Sequence, residues 1–238
     1  MTDPKQQLQD TFREGRVLFV DKPFRWTSFD AVNKIKSQLR YRLGMKKVRI
    51  GHAGTLDPLA TGLLIICTGR ATKEITRYQD LDKTYTGTFV VGQVTPSFDL
   101  ETQPVEESPF AHLRETDLLE AAAELTGELA QIPPLYSAKK IAGERAYHHA
   151  RQGRQTALQA RQVHVKTFEI TGISLPEVSF RITCSKGTYI RAIARDFGEA
   201  LGCGAYLGAL RRTHIGIHSV EDAWQMDQLS EAIANAEL

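Results

Sequence analysis

The chain has 238 residues, 42% of them hydrophobic and 24% charged, the balance of a globular protein long enough to bury a sizeable core. There is no apolar run of ~18 residues and hence no candidate membrane span, and the polar start MTDPKQQLQD lacks the apolar core of a signal peptide. Cys67, Cys184 and Cys203 lie far apart with no C-x-x-C pair, which excludes a disulfide framework and a zinc ribbon and fits a cytoplasmic protein.

Taken in chain order, VLFV (17–20) reads as a short buried strand. TSFDAVNKIKSQLRYRLG reads as a helix, capped by Thr27 or Ser28, with Val32, Ile35 and Leu39 at helical spacing and Gly44 at its end. LLIIC (63–67) is a short apolar run, either strand or buried helix end. TYTGTFVVGQV (84–94) is β-branched and aromatic, a strand with Gly87 as a candidate bulge, and TPSFDLETQPVEESP is a loop. TDLLEAAAELTG (116–127) has a cap, good helix formers and a terminal glycine, and QIPPLYSAKK breaks it with two prolines.

VHVKTFEI (163–170) and VSFRITC (178–184) alternate apolar and polar, as half-exposed antiparallel strands do. GTYIRAIARDFGEALGCG puts Ile190, Ile193, Ala194, Phe197 and Leu201 on one helical face. YLGALRRTHIGIHSV returns to strand, and EDAWQMDQLSEAIANAEL reads as a polar helix. The pattern predicts one α+β domain over 1–238 with a mixed, mainly antiparallel sheet, a core of about 17–220 and a terminal helix over about 221–238.

The net charge of +2 conceals a sorting by segment. Between Asp30 and Asp57 there is no acid but seven bases, Lys34, Lys36, Arg40, Arg42, Lys46, Lys47 and Arg49. Lys139 to Lys166 is rich in Lys and Arg against one acid, Glu144, whereas Asp99 to Glu128 holds nine acids and one base, Arg114. Basic stripes balanced by an acidic region suit a nucleic-acid binder of near-neutral total charge; solvated helix faces would look the same.

Asp57 sits in GTLDPLATG, between Gly54 and Gly62, with Pro58 restraining it to an extended backbone. Local chemistry leaves two readings, a rigidly mounted nucleophile or base, and an ordinary turn former or helix cap. In CSKGTYIRAIARD, Tyr189 and Arg191 project from the first turn of a helix, where an arginine can pair with a buried acid or simply face water. Tyr85 of KTYTG can stack on a planar ring or fill the core. DLDKT (80–84) matches an aspartyl-phosphatase pattern but lacks the apolar strand that pattern requires, since KEITRYQ precedes it. There is no P-loop and no H-E-x-x-H, and the adjacent His148 and His149 point apart on a helix.

VDKPFRWTSFDAV, GHAGTLDPLATG, KTYTG, PPLYSAKK and CSKGTYIRAIARDFGEALGCGAYLGALRRT occur in the order found in the TruB family of tRNA pseudouridine synthases, so the chain resembles that family from about Val17 to Val220. The resemblance implies a pseudouridine synthase fold with a central RNA-binding cleft flanked by helices, isomerisation of uridine 55 in the tRNA T-loop, no cofactor and no metal. It places the nucleophile on Asp57, the uracil-stacking tyrosine on Tyr85, and a Tyr-x-Arg pair on Tyr189 and Arg191, with Arg191 expected to pair with Asp57. It puts Leu210 against the base, His52 in the gap left by the flipped nucleotide, and Lys22 among the substrate contacts. A T-arm-gripping insertion is implied over about 131–160, with Lys139, Lys140 and Arg151 on the RNA.

Two departures stand out. The chain ends soon after Arg212, so a short form without the family's small C-terminal RNA-binding domain is expected, and the loop TPSFD has Pro96 where the family has its first acid, keeping the second as Asp99. The expected partner is the tRNA T-arm, for a monomer without membrane attachment. An RNA-binding module that has lost its chemistry and a guide-RNA-dependent relative are the rival readings; the full set Asp57, Tyr85, Tyr189 and Arg191 argues against the first, and the lack of basic tails against the second.

Overall fold

The computed structural model describes residues 3–134, 140, 141, 144, 145 and 159–238. The fold is α+β with a mixed, mostly antiparallel sheet. The chain divides into two compact units, one built from the residues up to Thr84 together with those from Arg211 onward, the other from Tyr85 to Leu210. A single domain was the expectation from sequence; the division falls inside the two strands Lys83–Val91 (β4) and Ala205–Ile215 (β12).

In the first unit α1 (Pro4–Glu14) is followed by β1 (Val17–Lys22), α2 (Ser28–Tyr41), β2 (Ile50–His52) and β3 (Thr61–Thr68). The sheet here runs β14 (Trp224–Gln225), β1, β3, with β2 on β3 and β12 parallel to β3 at Arg211↔Thr61 and Arg212↔Gly62. β1 and β3 are antiparallel from Val17↔Cys67 to Lys22↔Gly62. The apolar run Leu63–Cys67 is strand, and its lack of alternation has a cause. Leu64 and Ile66 enter a core with α1, α2 and α6 (Met226–Asn235), while Leu63, Ile65 and Cys67 enter a second core with Ala53, Ile215 and Val220. A strand buried on both faces has no polar side to show.

Thr27 caps α2 through a reciprocal pair, its hydroxyl accepting from the Asp30 amide at 3.0 Å and the Asp30 carboxylate accepting from the Thr27 amide at 2.8 Å. α1 escaped the sequence reading because it is polar apart from Leu8 and Phe12, four residues apart and both buried. The terminal helix is shorter and less polar than expected, with Met226, Leu229, Ala232 and Ile233 forming a buried stripe. A short helix, α3 (Ile75–Asp80), precedes Thr84, and the Lys83 ammonium caps it by donating to the carbonyls of Tyr78, Gln79 and Leu81. The residues before DLDKT are thus helical, which removes the strand a phosphatase motif needs.

In the second unit the order is β4, β11 (Glu177–Cys184), β10 (Arg161–Ser174), β7 (Gly127–Gln131). β5 (Gln93–Val94), the end of the segment read as one strand, forms a small ribbon with β6 (Glu106–Glu107), which lies in the segment read as loop, and β8 (Lys140–Ile141) pairs with β9 (Glu144–Arg145). α4 (Glu115–Glu124) is capped at Arg114, two residues before the expected Thr116, and the Asp117 carboxylate accepts from the Arg114 amide at 2.8 Å. α5 (Ile190–Ala200) buries the predicted face, with Phe197 joining Phe89, Phe168 and Phe180 in an aromatic core; the Phe89 and Phe180 rings stack at 4.1 Å. Gly87 marks a close approach within this unit: a Cβ there would lie 2.7 Å from the Phe180 ring and nearer still to the Ala209 carbonyl. No helix among the described residues is long and apolar enough to cross a membrane.

Candidate active site

The first unit carries His52, Asp57 and Lys22 on adjoining segments. β2 ends at His52, the Ala53 amide donates to the Ile65 carbonyl at 2.8 Å, and the chain then turns through 54–60 into β3. The Ala60 amide donates to the Asp57 carbonyl at 3.1 Å, closing a turn in which Pro58 sits at the second position. Gly62 has φ of 108°, and a Cβ there would lie 2.7 Å from the Arg212 backbone nitrogen and nearer still to its carbonyl oxygen. Only glycine lets β12 come this close to the foot of the turn.

Three side chains hold the turn rigid. Ser28 at the start of α2 accepts from the Leu56 amide at 2.8 Å and donates to the Leu56 carbonyl at 3.3 Å. Arg212, 1% exposed, donates to the carbonyls of Leu63 at 2.8 Å, Gly54 at 3.1 Å and Thr55 at 3.5 Å. Lys22 is fully buried, and its ammonium donates to the carbonyls of Trp26 at 2.5 Å, Pro23 at 3.1 Å and Pro58 at 3.4 Å. The structure therefore places Lys22, expected among the substrate contacts, as a clamp behind the residue that follows Asp57.

Burial pushes the Lys22 pKa down to about 8; the charge of Asp57 opposes that fall more than any other, and Arg212 adds to it. His52 is half-buried, and burial followed by the Arg212 charge lowers its pKa, which favours the neutral ring. Its Nδ1 is buried without a hydrogen-bond partner among the described residues. Arg211, beside Arg212, makes a bidentate pair with Asp21 at 2.7 and 3.0 Å, reinforced by Gln225 at 3.1 Å.

The second unit carries Tyr85, Tyr189, Arg191 and Leu210. Tyr85 is 8% exposed near the start of β4, and Leu210 is half-buried on β12. Tyr189 caps α5, its amide donating to Gln131 Oε1 at 2.8 Å and its carbonyl accepting from Gln131 Nε2 at 3.2 Å, while the Arg161 guanidinium lies over its ring at 4.6 Å. Arg191 is 3% exposed and is held by Asp99 at 3.5 Å and the Ser97 carbonyl at 3.2 Å. Asp99 is itself built in, with Oδ1 accepting from the Glu101 amide at 2.9 Å and its carbonyl accepting from Thr95 at 2.8 Å and Ser97 at 3.2 Å.

Lys139 and Arg151 lie outside the described residues; Lys140 lies in β8. Sequence reasoning missed Arg212 and the pairing of Asp99 with Arg191. The acid kept at Asp99 in a departing loop was the available signal for the second; nothing local marked Arg212 as buried. Among the described residues no group of three or more His, Cys, Asp or Glu is arranged to hold a metal ion.

Residues 40–190 match the model described as TruB family pseudouridylate synthase (N terminal domain), and residues 191–237 match that of the tRNA pseudouridylate synthase B C-terminal domain. The chain is 49% identical over 225 residues to the tRNA pseudouridine synthase B of Flavobacterium johnsoniae, covering 94% of this chain and 98% of that one. It is 47% identical over 227 residues to that of Phocaeicola vulgatus, covering 95% and 97%. Among solved structures, a chain of a Cbf5-Nop10-Gar1 complex is similar with a TM-score of 0.70 and 26% identity, over 97% of this chain but only 58% of that one. An archaeal box H/ACA Nop10-Cbf5 complex, with a TM-score of 0.69 and 23% identity over 98% of this chain and 61% of that one, shares the fold. With its rigid aspartate turn set in this fold and the two family models matching residues 40–190 and 191–237, the chain belongs to the TruB family of pseudouridylate synthases, isomerases that turn uridine into pseudouridine.

Proposed function

We propose that the chain isomerises uridine 55 in the T-loop of tRNA, acting as a monomer in the cytoplasm with Asp57 as the nucleophile. The observation that carries the reading is the turn at 54–60, where Ser28, Lys22 and Arg212 hold the backbone on both sides of one half-buried carboxylate. Relatives named for tRNA, matched over nearly their whole length, support the substrate class.

A target uracil inside a folded loop must be swung out at a cost of a few kcal/mol before its glycosidic bond is reachable. The Asp57 carboxylate then bonds to the nucleotide and the C1′–N1 bond breaks. The uracil turns, C5 joins C1′, the C5 proton leaves, N1 takes up a proton and the carboxylate is released. Overall this is an isomerisation, with no oxidant or other co-reactant. Tyr85 stacks on the uracil, an aromatic contact worth ~1–3 kcal/mol. Tyr189 and Leu210 line the base, and the resemblance assigns Arg191 to the catalytic set. His52 fills the gap the nucleotide leaves, a role suited to an uncharged ring. The basic run from Lys34 to Arg49 and the insertion with Lys139, Lys140 and Arg151 neutralise phosphates.

The test is an unmodified tRNA transcript incubated with the enzyme and no guide RNA, then mapped for pseudouridine by mass. A single product at position 55 is expected, with none from Asp57→Asn although that variant binds the transcript within about threefold of the parent, since a carboxamide of the same shape loses the nucleophile alone. An Asn variant with the parent's rate removes Asp57 from the chemistry, and activity that needs an added guide removes the stand-alone reading.

A further inference from the structure

Next to the Asp57 turn lies a surface that no step above uses. Phe24 is 51% exposed, and the Arg25 guanidinium reaches over its ring with Cζ 5.6 Å from the centroid. Phe29, in the first turn of α2, is 65% exposed. Trp26, by contrast, packs against the first unit's core and anchors the segment. Among the described residues no carboxylate pairs with Arg25, so its charge faces outward.

The backbone of this segment is strained and held. Arg25 has φ of 66°, a conformation that costs a residue with a Cβ ~1–2 kcal/mol. It persists because the Arg25 amide donates to the Pro58 carbonyl at 2.9 Å, while Lys22 ties the carbonyls of Pro23 and Trp26 to that of Pro58 and Ser28 brackets Leu56. Residues 22–28 and the turn carrying Asp57 are therefore one piece, and the exposed ring and guanidinium keep a set position relative to the carboxylate. A hydrophobic surface patch alone would not require that. Strain at a displayed cation, bonded to the residue next to the nucleophile, points to a ligand that arrives together with the reacting nucleotide.

We infer that Phe24 and Arg25, with Phe29 beside them in sequence, form a binding surface for an unpaired base of the substrate RNA adjoining the uridine at Asp57, the base stacking on Phe24 and the guanidinium meeting its phosphate. Extrusion of a nucleotide removes a stacking partner from its neighbours, and an exposed aromatic with a cation is the pair that single-stranded nucleic acid sites use. The inference rests on the RNA reading above and names a contact which that reading leaves unassigned.

The experiment uses the full chain, the unmodified tRNA transcript, and two variants. Phe24→Ala removes the ring from a half-exposed position. Arg25→Gly removes the cation but accepts the left-handed φ, so its melting temperature should equal or exceed the parent's. Each is expected to raise the Kd for the transcript at least about fivefold, the low end of one base–aromatic contact. With 2-aminopurine replacing each nucleotide flanking the target in turn, the parent should quench one flank and Phe24→Ala should not. Kd values within twofold of the parent, equal quenching at both flanks, or a Kd rise in Arg25→Gly that comes only with a fall in melting temperature overturns the inference; binding of a protein and not of the transcript does the same. A parent that forms no pseudouridine on this transcript overturns the functional reading as well, so the two failures are distinguishable.

Discussion

Lys22 gives the sharpest quantitative test. Its ammonium is fully buried on three carbonyls, and its pKa falls from 10.5 to about 8, with burial the largest cause. Between those two values the unfolded chain still holds a proton that the folded chain has released, so unfolding becomes harder as pH rises through the window. At ~1.4 kcal/mol per tenfold change in proton affinity, the whole effect is about 3 kcal/mol, of which about 2.5 kcal/mol falls between pH 7 and pH 10. For a chain of this size that is a rise of roughly 5–10 °C in melting temperature. Other groups titrate in the same range, and so the comparison is with Lys22→Met, which keeps the stem and has no proton to lose. Thermal melts of both proteins from pH 7 to pH 10 should show the parent gaining on the variant by that amount. A difference between the two that stays constant with pH would mean that the ammonium titrates as in water, and the clamp behind Pro58 would be refuted.

Replacement of Asp99 by Ala should lower stability by about 3 kcal/mol, or roughly 6–12 °C, because it leaves the 3%-exposed Arg191 facing a lost partner, whereas Asp99→Asn should lose less; thermal unfolding checks both, and an Ala variant melting within 2 °C of the parent sinks the pairing as a structural element. Gly62→Ala, at φ of 108° and against the Arg212 backbone, should cost a similar ~3 kcal/mol and show as a fall of about 6 °C or more, or as loss of soluble protein; an unchanged melt would mean that β12 can move away from the turn.

How far the molecule can be read from its sequence depends on the range of the interactions. α2 announced itself through Thr27 and a stripe at helical spacing, and α5 through Ile190, Ile193 and Phe197. These are local signals, complete within four residues. β3 was ambiguous because its two-sided burial needs the rest of the first unit to be visible. α1 was invisible because two buried residues in eleven make too thin a stripe to separate from chance. The turn at Asp57 was legible for the same reason α2 was: Gly54, Pro58 and Gly62 act on their own backbone. Asp99 and Arg191 lie far apart in sequence, and no period or motif links a loop acid to a helix arginine. Lys22 stood among the substrate contacts through the resemblance alone; its inward direction is decided by the carbonyls of Trp26 and Pro58, which sequence does not display.

Lys22, Lys83, Arg191 and Arg212 share a pattern that explains why the basic residues of such a chain cannot all be assigned to RNA. Each is under 10% exposed, and each donates to backbone carbonyls in turns or at the end of an element: Pro58 for Lys22, Gln79 near the end of α3 for Lys83, Ser97 for Arg191, Gly54 and Thr55 for Arg212. Such carbonyls have no ladder partner, and buried ones must find donors. A hydroxyl such as Ser28 serves one residue, but an ammonium has three donors and a guanidinium five, so one long side chain settles a whole turn. The geometry of Arg212 makes this testable, since its acceptors at Gly54, Thr55 and Leu63 are spread over a width that a planar fork spans and a point ammonium does not. Arg212→Lys keeps the charge and should still lose about 2–4 kcal/mol, with one or two carbonyls left unsatisfied at ~1–3 kcal/mol each, a fall of roughly 4–16 °C on thermal unfolding. A lysine variant that melts with the parent would show that charge alone holds the turn beneath Asp57, and the guanidinium's shape would drop out of the argument.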